Sequence, residues 1–181
     1  MKFVTSNPNK VREAQSILGV ELERVDLPIE EIQTCNVETA VRHKVEEAYA
    51  QLNSPVLVED SGLIFEAWKG LPGALIKWFE NTVGLDGLLR MLEGFPNRNA
   101  RAVCLVAFHD GRKVYLGRGE VPGRIAQECR GRGGFGWDAI FIPEGQDRTF
   151  GEMTLRQKNA LSHRRRALEN LVISTIVEAS D

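Results

Sequence analysis

Four groups of residues carry the chemistry open to this chain. The first is the run TSNPNK, Thr5 to Lys10, where a short apolar segment breaks into Ser6-Asn7-Pro8-Asn9 and a helical pattern follows at once. Backbone N–H groups gather at a helix start and favour anions, and Ser6, Asn7 and the Lys10 ammonium add donors and charge. The same residues also make an ordinary capped helix, with Asn7 as cap and Pro8 at the first helical position. No G-x-x-x-x-G-K-[ST] phosphate loop is present. The second group is acidic. Glu59 and Asp60 close the apolar run PVLVED just before Ser61-Gly62, at what reads as the C-terminal tip of a buried strand. Neighbours on a strand face opposite ways, so only one of the two faces a given site. Glu13 and Glu31 also follow apolar segments, and convergence of such carboxylates would make a hard oxygen site for Mg²⁺.

The third group is cationic. A polyphosphate needs several positive charges, and Lys44, Lys77, Lys158, Arg164, Arg165 and Arg166 are the candidates, lysine as a point charge and arginine as a planar donor fork. His163, between Ser162 and Arg164, either joins this cluster or satisfies a backbone carbonyl. No G-x-S-x-G elbow is present, which argues against acyl transfer. The fourth is Gly133-Gly134-Phe135-Gly136-Trp137-Asp138. Glycine fills no volume and costs entropy, so this run reads either as a structural turn or as a loop whose backbone approaches a flat ligand while a ring stacks on it.

These groups need elements to hold them. Lys10, Val11, Ala14, Ile17 and Leu18 predict a helix that Gly19 can stop. Glu21 to Leu27 reads as a strand, and Val41, Val45, Ala48, Tyr49 and Leu52 place a helix over about 36–52. PVLVED and Leu63 to Trp68 read as two strands, followed by the loop KGLPG and a helical stretch through LDGLLRMLEG. ARAVCLVAF and RKVYLGRGEV form a hairpin by pattern, with Asp110-Gly111 at its turn, and AIFIP reads as a later strand. Thr154 and Gln157 stand in capping-box spacing before Leu161, Leu168, Leu171, Val172 and Ile176. That last helix is either continuous or broken at Ser162, itself a suitable cap.

The 181 residues, 43% apolar and 27% charged, suit one globular α/β domain spanning 1–181, with no repeat or low-complexity linker. A net charge of −2 gives no global argument for nucleic acid or a membrane, so any anion site is local. Three scattered cysteines without metal-ligand spacing read as reduced thiols, and no apolar run approaches the ~20 residues of a membrane span. The expectation is a cytoplasmic protein with no nucleic-acid or membrane partner.

Taken in order, TSNPNK (5–10), EDSGL (59–63), LPG with IKWF (71–73, 76–79), GRI (123–125), GFGWD (134–138) and EMTLRQKNALSHRRRAL (152–168) resemble the inosine triphosphate pyrophosphatase family over essentially the whole chain. The resemblance implies an elongated mixed sheet flanked by helices in two lobes, with the active-site cleft between them. It implies Mg-dependent hydrolysis of non-standard purine nucleoside triphosphates (ITP, dITP, XTP) to the monophosphate and pyrophosphate, and usually a homodimer. It places the triphosphate on Thr5, Ser6, Asn7, Pro8, Asn9 and Lys10, with Lys44, Ser61 and Lys77, and the metal on Glu31 and Asp60. Asp60 also matches the proton acceptor, and Lys10 and Lys44 join it in the catalytic set. The base pocket matches Phe135, Gly136, Trp137 and Asp138, completed by Lys158, His163 and Arg164. The chain departs from the family pattern with Glu59 for a frequent Asp, ALIKWF for a Tyr-Ser-Ala-Arg-like segment, Trp137 for Tyr and Ala139 for Pro.

On that reading Asp60, or Glu59 through a second water, takes the proton of the attacking water, while Lys10, Lys44 and Lys77 balance charge on the leaving pyrophosphate. Arg164 and N–H groups near His163, being donors only, would suit the purine O6 and leave an adenine amino group unpaired. Two rivals stand beside it. One is a non-catalytic nucleotide or RNA binder using RGRGGFGW and SHRRRAL as basic-aromatic surfaces; the other is a Maf-type pyrophosphatase acting on other nucleotides.

Overall fold

The computed structural model describes residues 1–178. Three short elements build the first edge of the sheet. Strand β1 (Lys2–Val4) leads into helix α1 (Pro8–Leu18), which returns the chain to β2 (Glu23–Val25) beside β1. Asn7 caps α1 by accepting a hydrogen bond from the Asn9 N–H at 2.9 Å, and Gly19, at φ 68°, ends it. β2 is shorter than the expected strand over 21–27, because its partner β1 offers only three residues for pairing. Helix α2 (Val37–Leu52) follows, its Val37, Val41, Val45 and Ala48 recurring every three to four residues to bury one stripe.

Strand β3 (Val56–Phe65) overturns one expectation. PVLVED and Leu63–Trp68 are not two strands with a turn between them. One ladder runs through Glu59-Asp60-Ser61-Gly62 against β5 (Asn99–His109), in register from Val56 opposite His109 to Phe65 opposite Ala100. A short helical turn, Glu66–Trp68, ends it. The expected strands left Ser61-Gly62 between them; instead the ladder continues and Gly62 leaves room for neighbours, since a Cβ there would lie 2.6 Å from Val37 Cγ2. On its other edge β3 pairs with β1 only as far as Val58, and with β4 (Pro72–Gly73) only from Leu63 onward. Glu59 to Gly62 thus lie at a gap beyond the C-terminal end of β1, the kind of crevice where open α/β sheets bind ligands.

The IKWF segment forms α3 (Ile76–Thr82), followed by α4 (Gly84–Leu92). β5 and β6 (Val114–Ile125) form the expected hairpin, turned by Asp110, whose Oδ1 accepts the N–H groups of Arg112 and Lys113. β7 (Phe141–Pro143) completes the order β2-β1-β3-β5-β6-β7, with β4 on β3. The final segment breaks, as one reading allowed, into α5 (Leu155–Asn159) and α6 (His163–Glu178), and Ser162 Oγ accepts the Arg165 N–H at the new start. The side chain of Ile176 lies outside the described residues. Helix α6 rests on the backbone of β6: a Cβ at Gly119 would come within 2.0 Å of the His163 carbonyl oxygen.

This mixed sheet carries two lobes. At one end, α2 covers one face through Val41, Val45, Val58 and Leu105, and α1 and α6 cover the other through Val11, Leu57, Val106 and Leu168. At the other end, Phe65, Ile76, Leu88, Ile140, Phe141 and Phe150 form a separate cluster.

Candidate functional site

A cavity of about 320 Å³ brings together segments far apart in the chain, a volume suited to a small-molecule ligand. Thr5, Ser6 and Asn7 reach it from the turn after β1, Lys10 from the first turn of α1, Lys44 from α2, and Asp60 and Ser61 from β3. Glu31 and Lys77 close one side, and Phe135 to Asp138, Lys158, His163 and Arg164 close another. Pro8 and Asn9 do not line it, because Pro8 opens α1 and Asn9 faces a neighbouring depression shared with Arg12 and Glu13.

Alternation along β3 divides the two acids between faces, as expected. Asp60 remains partly open to the cavity, with 28% of its side chain exposed, whereas Glu59 is 1% exposed. Lys10 spans both, its Nζ 3.2 Å from Glu59 Oε1 and 3.8 Å from Asp60 Oδ1. Burial pushes the Asp60 carboxyl up despite the opposing charges of Lys10 and Lys44. Burial works against the Lys10 ammonium too, but Glu59 and Asp60 outweigh it and hold the group above its ordinary value. Lys44, whose Nζ lies 3.5 Å from the Glu59 carbonyl oxygen, is pushed down by burial and by Lys10. Clustered cations with one depressed ammonium favour an added anion, which would restore that charge.

Behind this surface lies a buried ionic network. Arg164, 1% exposed, donates from Nε to Glu59 Oε2 at 2.5 Å and from Nη2 to Glu59 Oε1 at 2.8 Å. It also donates from Nη1 to Glu13 Oε2 and from Nη2 to Ser61 Oγ. Lys158, equally buried, is 2.7 Å from Glu13 Oε1 and 2.6 Å from Asp138 Oδ2. Two expectations change here. Glu59 is not available to take a proton from water: burial opposes its charge, but Arg164 and Lys10 outweigh that and hold its carboxyl far below the usual range. Arg164 is not an open donor fork either, since four of its five N–H groups are already engaged. Glu13 belongs to this network and not to a metal cluster.

The glycine-rich run forms a short helical turn, Gly136–Ala139. Its glycines serve the protein's own packing. Gly134, at φ 68°, would place a Cβ 2.1 Å from Asp138 Oδ2, and that oxygen accepts the Phe135 N–H. Trp137, expected to stack on a ligand, is only 7% exposed and packs edge-on against Phe141. Phe135 is the half-buried ring, and Lys158 lies 4.6 Å from its centroid. His163 stands 5.2 Å from the Trp137 ring; burial, with Arg164 and Lys158, keeps it neutral, and its Nδ1 has no partner, so of the two readings of this residue Nδ1 does not serve the bond to a backbone carbonyl. The basic-aromatic surface of the rival reading is also reduced. Ser162, His163 and Arg164 are buried, Arg165 pairs with Glu169, and Arg166 donates to the Glu120 carbonyl.

Sequence reasoning missed Glu80. It lines the cavity from α3, one turn after Lys77, and helical spacing from that lysine was the signal that could have found it. Burial, then the charge of Asp138, push its carboxyl up to about 7.

The residues present fit Mg²⁺. Glu31 and Asp60 offer oxygen donors on the same cavity, and burial works against the charge of Asp60, a cost that a bound cation would offset. Among the described residues no three His, Cys, Asp or Glu side chains cluster as a closed metal cage. Mg²⁺ needs none: it takes one or two carboxylates and completes its shell with water and phosphate oxygens. Lys77 holds Glu31 at 3.5 Å.

A family model described as the Ham1 family matches residues 1–173. The chain is 44% identical over 171 residues to a dITP/XTP pyrophosphatase of Thermococcus kodakarensis, covering 93% of this chain and 92% of that protein. It is 45% identical over 176 residues to an inosine triphosphate pyrophosphatase of Yarrowia lipolytica, covering 94% and 93%. Among solved structures, a HAM1 protein from Coxiella burnetii superposes with a TM-score of 0.81 at 30% identity, covering 99% of each chain.

Proposed function

Because the chain belongs to the Ham1 family, we propose that it is a nucleoside triphosphate pyrophosphatase. Its substrates are the non-standard purine nucleotides ITP, dITP and XTP, cleaved to the monophosphate and pyrophosphate. The observation that carries this reading is one cavity where Lys10, Lys44 and Lys77 stand with Asp60 and Glu31, next to the half-buried ring of Phe135. The cations suit a triphosphate and the ring suits a base.

In this reading Lys10, Lys44 and Lys77 grip the phosphate chain from different elements. Asp60 takes the proton of the attacking water, whose oxygen bonds to the α-phosphorus. The bond from that phosphorus to the α–β bridging oxygen breaks, and its electron pair leaves with pyrophosphate. Asp60 suits this role because its carboxylate is partly exposed on the cavity, where it can reach a water beside the phosphate chain. Mg²⁺ bound at Glu31 and Asp60 would supply charge neutralisation at the phosphate oxygens. Arg164 and Glu59 act from behind: they fix Lys10, so the ammonium meets the substrate without reorganising.

The test is pyrophosphate release from ITP, XTP, dITP, ATP and GTP with and without Mg²⁺. Metal-dependent release that favours ITP, dITP or XTP supports the reading. Equal turnover of ATP, or binding without release, overturns it.

A further inference from the structure

The Oε1 atom of Glu80 is buried against the wall of the cavity and has no hydrogen-bond partner. It faces the turn that carries Phe135 and Trp137, for a Cβ on Gly136 would lie 3.3 Å from Oε1 and 3.4 Å from Oε2. The Trp137 N–H points at the carboxylate and favours its charged form, but it leaves Oε1 unsatisfied. A buried carboxylate oxygen without a partner costs free energy that a ligand donor can recover. The phosphate-gripping cations do not pair with it: Lys77, on the same helix, pairs with Glu31, and Lys10 pairs with Glu59 and Asp60.

We infer that Glu80 reads the purine N1 position, its Oε1 accepting the N1–H of a 6-oxopurine ring. This rests on the pyrophosphatase reading above and assigns to it a residue that selects the base. Hypoxanthine and xanthine carry a hydrogen on N1. Adenine carries a lone pair there, so two acceptors would meet and the carboxylate would stay unpaired, the kind of mismatch that separates close analogues most strongly. Guanine also carries N1–H, so Glu80 selects against ATP and not against GTP. Protonation reverses the preference, because a neutral acid offers an O–H to adenine N1. The charges bearing on that proton are Asp138, on the turn facing Glu80, and Lys10 from α1.

The experiment measures kcat/KM for ITP, ATP and GTP at about pH 8 in the wild type, Glu80→Gln and Glu80→Leu. The Gln amide can donate to adenine N1, so the ITP-to-ATP ratio should fall at least about tenfold in Glu80→Gln, through a gain on ATP. Glu80→Leu should lose activity on ITP and GTP together and more than on ATP. A purely structural role would lower all three substrates in proportion. Ratios within roughly twofold of wild type in both variants overturn the inference. A wild type that releases pyrophosphate from ITP with those ratios unchanged removes only Glu80 from the role; a folded wild type that releases none removes the pyrophosphatase reading with it.

Discussion

Arg164 and Glu59, 105 residues apart, form a two-pronged pair with both side chains 1% exposed, at 2.5 Å and 2.8 Å. The pair links the last helix to the middle of β3 and sets the position of Lys10, which touches Glu59 on its other side. Removing the guanidinium would leave two buried carboxylates short of a shared cation, Glu59 keeping only Lys10 and Glu13 only Lys158. Arg164→Ala should therefore cost about 3–5 kcal/mol, the usual penalty for breaking a buried pair from one side. Urea unfolding of the two proteins measures it. A loss comparable to that of an exposed ion pair would show that water compensates the site.

Asp60→Asn tests the proton acceptor. The amide keeps the volume and can still hydrogen-bond, but it accepts no proton. We expect kcat for ITP to fall by about 10²–10⁴-fold, the range general-base groups supply, with thermal stability nearly unchanged. Turnover within a few-fold of wild type would assign the proton to another group.

Chelation tests the two carboxylates at Glu31 and Asp60. Added EDTA should abolish pyrophosphate release, added Mg²⁺ should restore it, and the melting temperature should barely move because no closed cage of ligands is present among the described residues. Full activity in chelator excludes the metal from the reaction.

Stability should depend on pH in two opposing ways. Glu59 is held below the ordinary 4.5, so between its folded value and 4.5 the unfolded chain binds more protons. Its contribution is present above 4.5 and is lost as pH falls below that. Glu80 is raised from 4.5 to about 7, so in that window the native state keeps the extra proton. Stability then falls as pH rises from 4.5 to 7 and levels above. Melting temperatures across this range should show the acid loss in both wild type and Glu80→Gln, and the decline toward neutrality more weakly in the variant. An equal decline in both would assign it to Asp60 and other raised groups.

Much of the fold could be read locally. The Asn7 cap with Pro8 and Gly19, the stripe of Val41, Val45 and Ala48 and the Asp110-Gly111 turn depend on residues within a few positions of one another, and each is where the sequence placed it. The error at Ser61-Gly62 came from the same local logic. Two small residues after the acids interrupt the apolar pattern and split it into two strands, but ten paired residues of β5 keep the strand extended, and the glycine answers Val37 from α2.

The site divides along the same line. Sequence by itself determined which residue types are available: a polar helix start, two adjacent acids, scattered lysines and a ring flanked by glycines. It also determined that Glu59 and Asp60 face opposite ways, since that follows from the two-residue period of any strand. Only the tertiary structure decided which of these charges neutralise each other and which remain for a ligand. Arg164 and Lys158, apparently open donors, are consumed by Glu59, Glu13 and Asp138, while Glu80, unremarkable in the sequence, is left with a buried oxygen unpaired. The reason is physical. A charge is spent or spared according to its desolvation and its nearest opposite charge, and packing brings together partners as distant as Glu13 and Lys158, 145 positions apart.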